Sequence, residues 1–293
     1  DAKGGKMMLD RRGIRSFLLI TFFVTYAIEG VLFAAGVSFV GMPSMLGQLV
    51  VAAVMWVPAL GTVLTIKFVT KEGWSKTNLR FGTWRPYVAA ALLVPAVFAV
   101  IYGVSWALGL CEPDWQLTQF TSMVQAAGGE IPADSDSTQV LLVLFLVSVI
   151  VGPTINGVFG FGEEYGWRGY LLPKLMPLGR VRAYLLVGAV WGLWHAPLIM
   201  MGFNYPGYPL LGIVMMMAFT TTVGIYINEM SLRNRSSILA GSIHGAINGQ
   251  VYGIWRILFP TVNPLLGGVA GLVGIAVWLV LGLWVARKPL PPA

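Results

Sequence analysis

The chain has 293 residues, of which 57% are hydrophobic and only 11% charged, and it carries a formal charge of +7 at pH 7. With a mean hydropathy of +0.76, it falls outside the range of soluble domains and inside that of polytopic membrane proteins, so soluble folds are excluded. The single cysteine, Cys111, excludes an intrachain disulfide and a Cys-rich metal site.

A spanning helix needs about 20 apolar residues, and the sequence predicts an all-α polytopic protein with about eight of them, forming one membrane domain. Residues 1–15 read as a cytoplasmic segment holding Lys3, Lys6, Arg11, Arg12 and Arg15. The opening DAKGGKM lacks an initiator Met and is expected to be a cloning remnant. No separable signal peptide is expected, because the first apolar run is followed by others of full spanning length. The first span, 16–40, contains Glu29 about 21 Å beyond Arg15 by helical rise, near mid-membrane. It is expected to be a neutral carboxyl facing the bundle.

The second span, 44–68, begins after Pro43 and leads to Lys67, Lys71, Lys76, Arg80 and Arg85. The stretch 74–86 mixes Trp, Phe and basic residues, as in a cytoplasmic segment lying at the interface. The third span, 86–110, opens at Pro86 and precedes a segment, 111–137, with Glu112, Asp114, Glu130, Asp134 and Asp136 but no Lys or Arg. That segment reads as extracytoplasmic and closes the N-terminal part, 16–137.

Residues 138–258 form the expected catalytic core of four spans: 138–167, 183–202, 209–230 and 236–258. The first of these ends before a turn at Leu172 and Pro173 and is followed by Lys174, Arg180 and Arg182; Pro209 opens the third. That third span ends in Glu229, read as a solvated interfacial charge beside Arg233, with Arg235 following. The last part, 259–293, holds Pro260, a span over 264–286, then Arg287, Lys288 and a short cytoplasmic tail. All but two of the 19 basic residues, Arg168 and Arg256, thus fall on one side. By the positive-inside rule that side is cytoplasmic and holds both termini. Charge sorted this way serves a bilayer, and no nucleic-acid partner is expected.

The core carries polar groups where hydrocarbon makes them costly. In G-F-G-E-E-Y-G-W-R-G, 160–169, Glu164 and Arg168 are four apart and stack on one helix face, while Glu163 is turned by about 100°. A Glu paired with Arg stays ionised and structural; a Glu without a fixed cation in a poorly solvated cleft suits a general base near neutral pH. W-G-L-W-H-A-P, 191–197, sets Trp191 and His195 four apart, with Pro197 expected to open the helix beside the histidine. H-G-A-I-N, 244–248, stacks His244 on Asn248. These are the only two histidines of the chain.

Counting helical rise from the nearest cytoplasmic charge puts Glu163, His195, His244 and Asn248 at roughly 17, 20, 14 and 20 Å, a common depth. Such a cluster allows hydrolysis: Glu163 and His195 to hold and deprotonate a water, His244 and Asn248 to donate to an oxyanion. The many glycines nearby are read as small-residue packing.

The three motifs resemble those of the CPBP family, the CAAX proteases and bacteriocin-processing enzymes, also called ABI, which includes the Ras-converting type of CAAX prenyl endopeptidase. Glu163, Glu164 and Arg168 match its Glu-Glu-x-x-x-Arg, His195 its Phe-x-x-x-His, and His244 with Asn248 its His-x-x-x-Asn/Asp. Trp191 stands where the family usually has Phe.

The resemblance covers 160–249 and implies an intramembrane endopeptidase with Glu163, His195, His244 and Asn248 catalytic and Glu164 and Arg168 structural. The implied substrate is a membrane-anchored peptide or protein, prenylated or otherwise lipid-anchored, and the implied setting is a prokaryotic plasma membrane with the site open to the cytoplasm. No cofactor is expected, since His-Glu-x-x-His is absent; zinc is the alternative, on Glu163, His195 and His244. The competing functions are a proton-coupled transporter and a non-catalytic membrane scaffold or bacteriocin-immunity protein.

Overall fold

A computed structural model of the chain describes residues 9–40, 45–126, 128–131 and 136–291. Lys3, Lys6, Pro43 and Asp134 lie outside them. The described residues are helical, without strands: α1 (Arg11–Ala34), α2 (Met45–Val54), α3 (Val57–Leu64), α4 (Arg85–Ala107), α5 (Thr118–Ala126), α6 (Ser137–Val151), α7 (Gly157–Glu164), α8 (Leu172–Leu175), α9 (Arg180–Trp194), α10 (Ala196–Met200), α11 (Pro209–Asn234), α12 (Ser237–Val251), α13 (Ile254–Leu258) and α14 (Leu272–Ala286). Leu19, Phe23, Val31, Leu46, Leu92, Val147 and Val280 stay exposed. Apolar side chains on the outside of a closed helical bundle are what hydrocarbon surroundings require. The protein is an integral membrane protein.

Five continuous helical stretches are long and apolar enough to span: Arg11–Ala34, Met45–Thr70, Arg85–Ala107, Ser137–Leu178 and Pro209–Asn234. The other three expected spans are realised as shorter pieces. The helix over 183–202 is interrupted at His195. The one over 236–258 stops at Val251 and resumes after Gly253, and the last begins only at Leu272, after a glycine-rich turn in which Gly268 has φ +67°.

The stretch Ser137–Leu178 runs 42 residues, about 63 Å by helical rise and twice a hydrocarbon core. The expected turn at Leu172 and Pro173 is absent: Pro173 sits in the first turn of α8, where a missing N–H costs nothing. Instead the stretch widens into π turns at Gly152–Asn156 and Tyr165–Leu171, a deformation that often marks functional positions.

Three features set the register of the core. Ser236 caps α12, its hydroxyl accepting from the Leu239 N–H at 2.9 Å, and donates to the Arg80 carbonyl at 2.6 Å, tying α12 to the segment before α4. Lys174 pairs with Asp10 at 2.6 Å and Glu72 at 2.7 Å, joining α8 to the start of α1. Glu229 corrects the expectation of a solvated charge. It is fully buried, accepts from the Tyr184 hydroxyl at 2.6 Å, and pairs with Arg180 and Arg233, whose guanidinium groups also reach the Lys288 carbonyl beyond α14. An uncompensated buried carboxylate would be costly, so two cations close on it. The acidic segment 111–137 also holds the short helix α5.

α7 and α12 cross at backbone distance because both present glycines. A Cβ on Gly245 would lie 2.5 Å from the Asn156 carbonyl carbon and closer still to Gly157, all backbone that cannot yield. Gly245→Ala is expected to lower unfolding stability by about 1–3 kcal/mol, as overpacking does. Gly30→Ala, with open space around it, should lose nothing. Denaturant titration of the two variants in detergent tests the contrast.

Candidate active site

The geometry at His195 follows from Pro197. Without an N–H, Pro197 leaves the Leu193 carbonyl with no helical donor; the Tyr26 hydroxyl of α1 donates to it instead at 2.7 Å. The His195 N–H turns to Gly192 at 3.2 Å. The Trp191 carbonyl so released lies 2.9 Å from His195 Nδ1. A carbonyl only accepts, so Nδ1 carries the proton and Nε2 keeps its lone pair, the form a proton acceptor needs.

The two carboxylates divide as their spacing on a helix predicts. Glu164 is fully buried; its Oε1 accepts from Arg168 Nη1 at 2.9 Å and from His244 Nδ1 at 2.9 Å. Arg168 Nε donates to Asn228 Oδ1 at 2.9 Å, and its guanidinium lies 4.3 Å from the Trp191 ring. Glu163, 2% exposed, faces away from this pair and accepts from Trp191 Nε1 at 2.7 Å.

Trp191 is therefore the hub, its ring 5.4 Å from His244 and 6.1 Å from His195, edge-on or tilted. The Phe usual in the family could not make its bond to Glu163, so this departure supplies a donor. Periodicity placed Trp191 on the right face but could not reveal what its indole N–H would meet. Asn228 had no signal at all in the sequence.

Glu163, Glu164, Arg168, His195 and His244 are brought together. No hydrogen bond joins Glu163 to His195 among the described residues; Trp191 links them, its indole N–H on Glu163 and its carbonyl on His195 Nδ1. Asn248 follows His244 by one turn on the same face of α12 and is half-buried. Its amide is not fixed by a hydrogen bond among the described residues.

Among the described residues no three His, Cys, Asp or Glu side chains converge as metal ligands. Both Nδ1 atoms are engaged, one by a carbonyl and one by Glu164, which leaves Nε2 as the outward nitrogen of each ring.

A helical membrane protein with a Glu-His cluster at the meeting of α7, α9 and α12 is the class that fold and site define. Residues 137–250 match the family model described as Type II CAAX prenyl endopeptidase Rce1-like. The chain is also 27% identical over 248 residues to CAAX prenyl protease 2 of Methanococcus maripaludis, covering 79% of this chain and 81% of that protein. The chain is thus similar to CAAX proteases over this region, and its three motifs all lie inside residues 137–250.

Proposed function

We propose that the chain is an intramembrane endopeptidase that hydrolyses a peptide bond near the anchored end of a membrane-bound peptide or protein, of CAAX type or with another lipid anchor. The observation that carries this reading is Glu163: a buried carboxylate with Oε2 held by Trp191, set beside a histidine whose Nε2 is a lone-pair acceptor. Water bound at Glu163 Oε1 and His195 Nε2 gives a proton to Glu163 as its oxygen attacks the scissile carbonyl carbon. The oxyanion accepts from His244 Nε2–H and the Asn248 amide. His244 then needs both ring protons, and Glu164, accepting at Nδ1, supports that imidazolium. Collapse breaks the C–N bond, and the leaving amine takes the proton that water gave up.

In this reading Glu164 and Arg168 orient the site, and the reaction needs no metal. The protein makes eight passes through a prokaryotic plasma membrane, with both termini and the mouth of the site cytoplasmic. Purified protein in detergent should cleave a prenylated or acylated peptide near its anchor. His195→Ala should abolish cleavage with the fold intact. Cleavage should survive exhaustive chelation, with no zinc recovered by elemental analysis. Full activity in His195→Ala would overturn the mechanism, and activity lost on chelation and restored by zinc would overturn its metal-free form.

A further inference from the structure

Between the π turn at Thr65–Thr70 and α4 the chain runs along the membrane face on which its basic residues collect. Positions 67–85 hold five Lys or Arg against one acidic residue, Glu72. That carboxylate is largely covered and pairs with Lys174 at 2.7 Å. Its approach to Lys76 is long, 3.9 Å, and the Lys76 side chain stays 71% exposed. Arg80 and Arg85 are exposed as well.

Trp74, Leu79 and Trp84 alternate with these three cations along the chain and are also exposed. Indole rings interspersed with Lys and Arg suit the headgroup level of a bilayer, where the ring enters the acyl boundary and the cation meets a phosphate. A neutral bilayer rewards only the rings. The cations gain where the headgroups carry net negative charge.

The inner side of the same segment is built against the helices of the site. Thr77 is buried; its hydroxyl donates to the Trp74 carbonyl at 2.7 Å and lies 3.2 Å from the Tyr165 hydroxyl. Tyr165 directly follows Glu164 and opens the π turn Tyr165–Leu171. The Thr77 carbonyl also crowds Gly169, where a Cβ would stand 3.0 Å from it. Asn78 adopts left-handed backbone, φ +52°, an uncommon conformation for a residue with a Cβ. Its carbonyl accepts from the Ser237 N–H at 3.0 Å, one of the donors that the first turn of a helix cannot satisfy itself. Two turns further, α12 carries His244. One short segment thus touches the helical stretch of Glu163 and the helix of His244.

We propose that residues 74–85 are a docking surface for anionic lipid headgroups, and that seating there holds Tyr165 and the start of α12 in the register the site needs. The occupant is a charged bilayer surface, because the apolar side chains between the cations need an acyl boundary to enter, which a soluble anion lacks. Docking stands on this face alone; its effect on turnover rests on the reading of the chain as a peptidase.

Docking is read without substrate. In mixed micelles, phosphatidylglycerol brominated on its acyl chains should quench tryptophan fluorescence more than brominated phosphatidylcholine does. That excess should vanish in the double variant Trp74→Phe, Trp84→Phe. The double variant Lys76→Gln, Arg80→Gln should need more phosphatidylglycerol to reach half of the excess, by about fivefold for each charge removed. Inorganic phosphate should displace no more than sodium chloride of equal ionic strength does.

Turnover is read in vesicles with an uncharged anchored peptide. Replacing part of the phosphatidylcholine by phosphatidylglycerol should raise kcat about fivefold or more, with KM less affected. The rise should be absent in Lys76→Gln, Arg80→Gln, which keeps the rate of the unaltered protein in phosphatidylcholine, and present in the charge-keeping Lys76→Arg, Arg80→Lys. Equal quenching by the two brominated lipids, an excess that survives Trp74→Phe, Trp84→Phe, or displacement specific to phosphate overturns the docking surface. Docking with kcat the same in both bilayers overturns its hold on the site. Docking in a protein that cleaves nothing in either bilayer overturns the peptidase reading and leaves the docking surface standing.

Discussion

Glu163→Gln is expected to lower kcat/KM for cleavage of an anchored peptide by about 10²–10⁴-fold, the usual contribution of a positioned general base, while leaving the thermal unfolding midpoint unchanged. Glutamine matches glutamate in size, and its carbonyl oxygen can still accept from Trp191 Nε1, the bond that fixes the side chain among the described residues. The variant therefore removes the proton acceptor and little else. Among the described residues Glu163 has no paired cation to strand, so no buried charge is orphaned by the change. Kinetics on detergent-purified protein, with the unfolding midpoint measured on the same sample, separates the two quantities. A variant that cleaves at the original rate would remove Glu163 from the chemistry, whatever its burial.

The contrast with its neighbour shows what the sequence could and could not disclose. Helical spacing alone separates Glu163 from Glu164 and pairs the latter with Arg168, and that pair is present at 2.9 Å. Pro197 similarly predicts the opening at His195 that lets the ring bond the Trp191 carbonyl. These features are local, decided within one or two turns. The bond from His244 to Glu164 spans 80 positions and the one from Arg168 to Asn228 spans 60; both depend on how α7, α11 and α12 pack, which no single segment encodes.

The burial of Glu229 is not legible in the sequence for the same reason. Arg233, four residues on, is visible in the sequence, but Arg180 and Tyr184 arrive from α9. Helix boundaries failed differently. Hydropathy continues smoothly through 264–271, whereas Gly268 at positive φ and the loop around it hold the backbone out of a helix until Leu272.

Arg168→Ala is expected to cost about 3–5 kcal/mol in unfolding free energy, the range for stranding one member of a buried pair. It should also abolish cleavage. Arg168 is fully buried, and it neutralises Glu164, bonds Asn228 and covers the Trp191 face. Without it the Glu164 carboxylate, also fully buried, has only His244 to balance it. That would draw His244 into a purely structural ion pair and unseat Trp191, and with it the orientation of Glu163. Arg168→Lys should recover only part of the loss, because an ammonium supplies the charge but not the planar fork that reaches Glu164 and Asn228 together.

Fold and function can then be separated by removing both partners. A double variant, Glu164→Met with Arg168→Met, leaves no stranded charge and should regain much of the lost stability, as apolar replacement of buried ion pairs does. It should stay inactive, since nothing remains to hold His244 Nδ1 and support its doubly protonated ring. Denaturant titration and peptide cleavage on the three variants read these outcomes. An Arg168→Ala protein as stable as the original would contradict the buried-pair assignment, and a double variant that cleaves would show that His244 does not depend on Glu164.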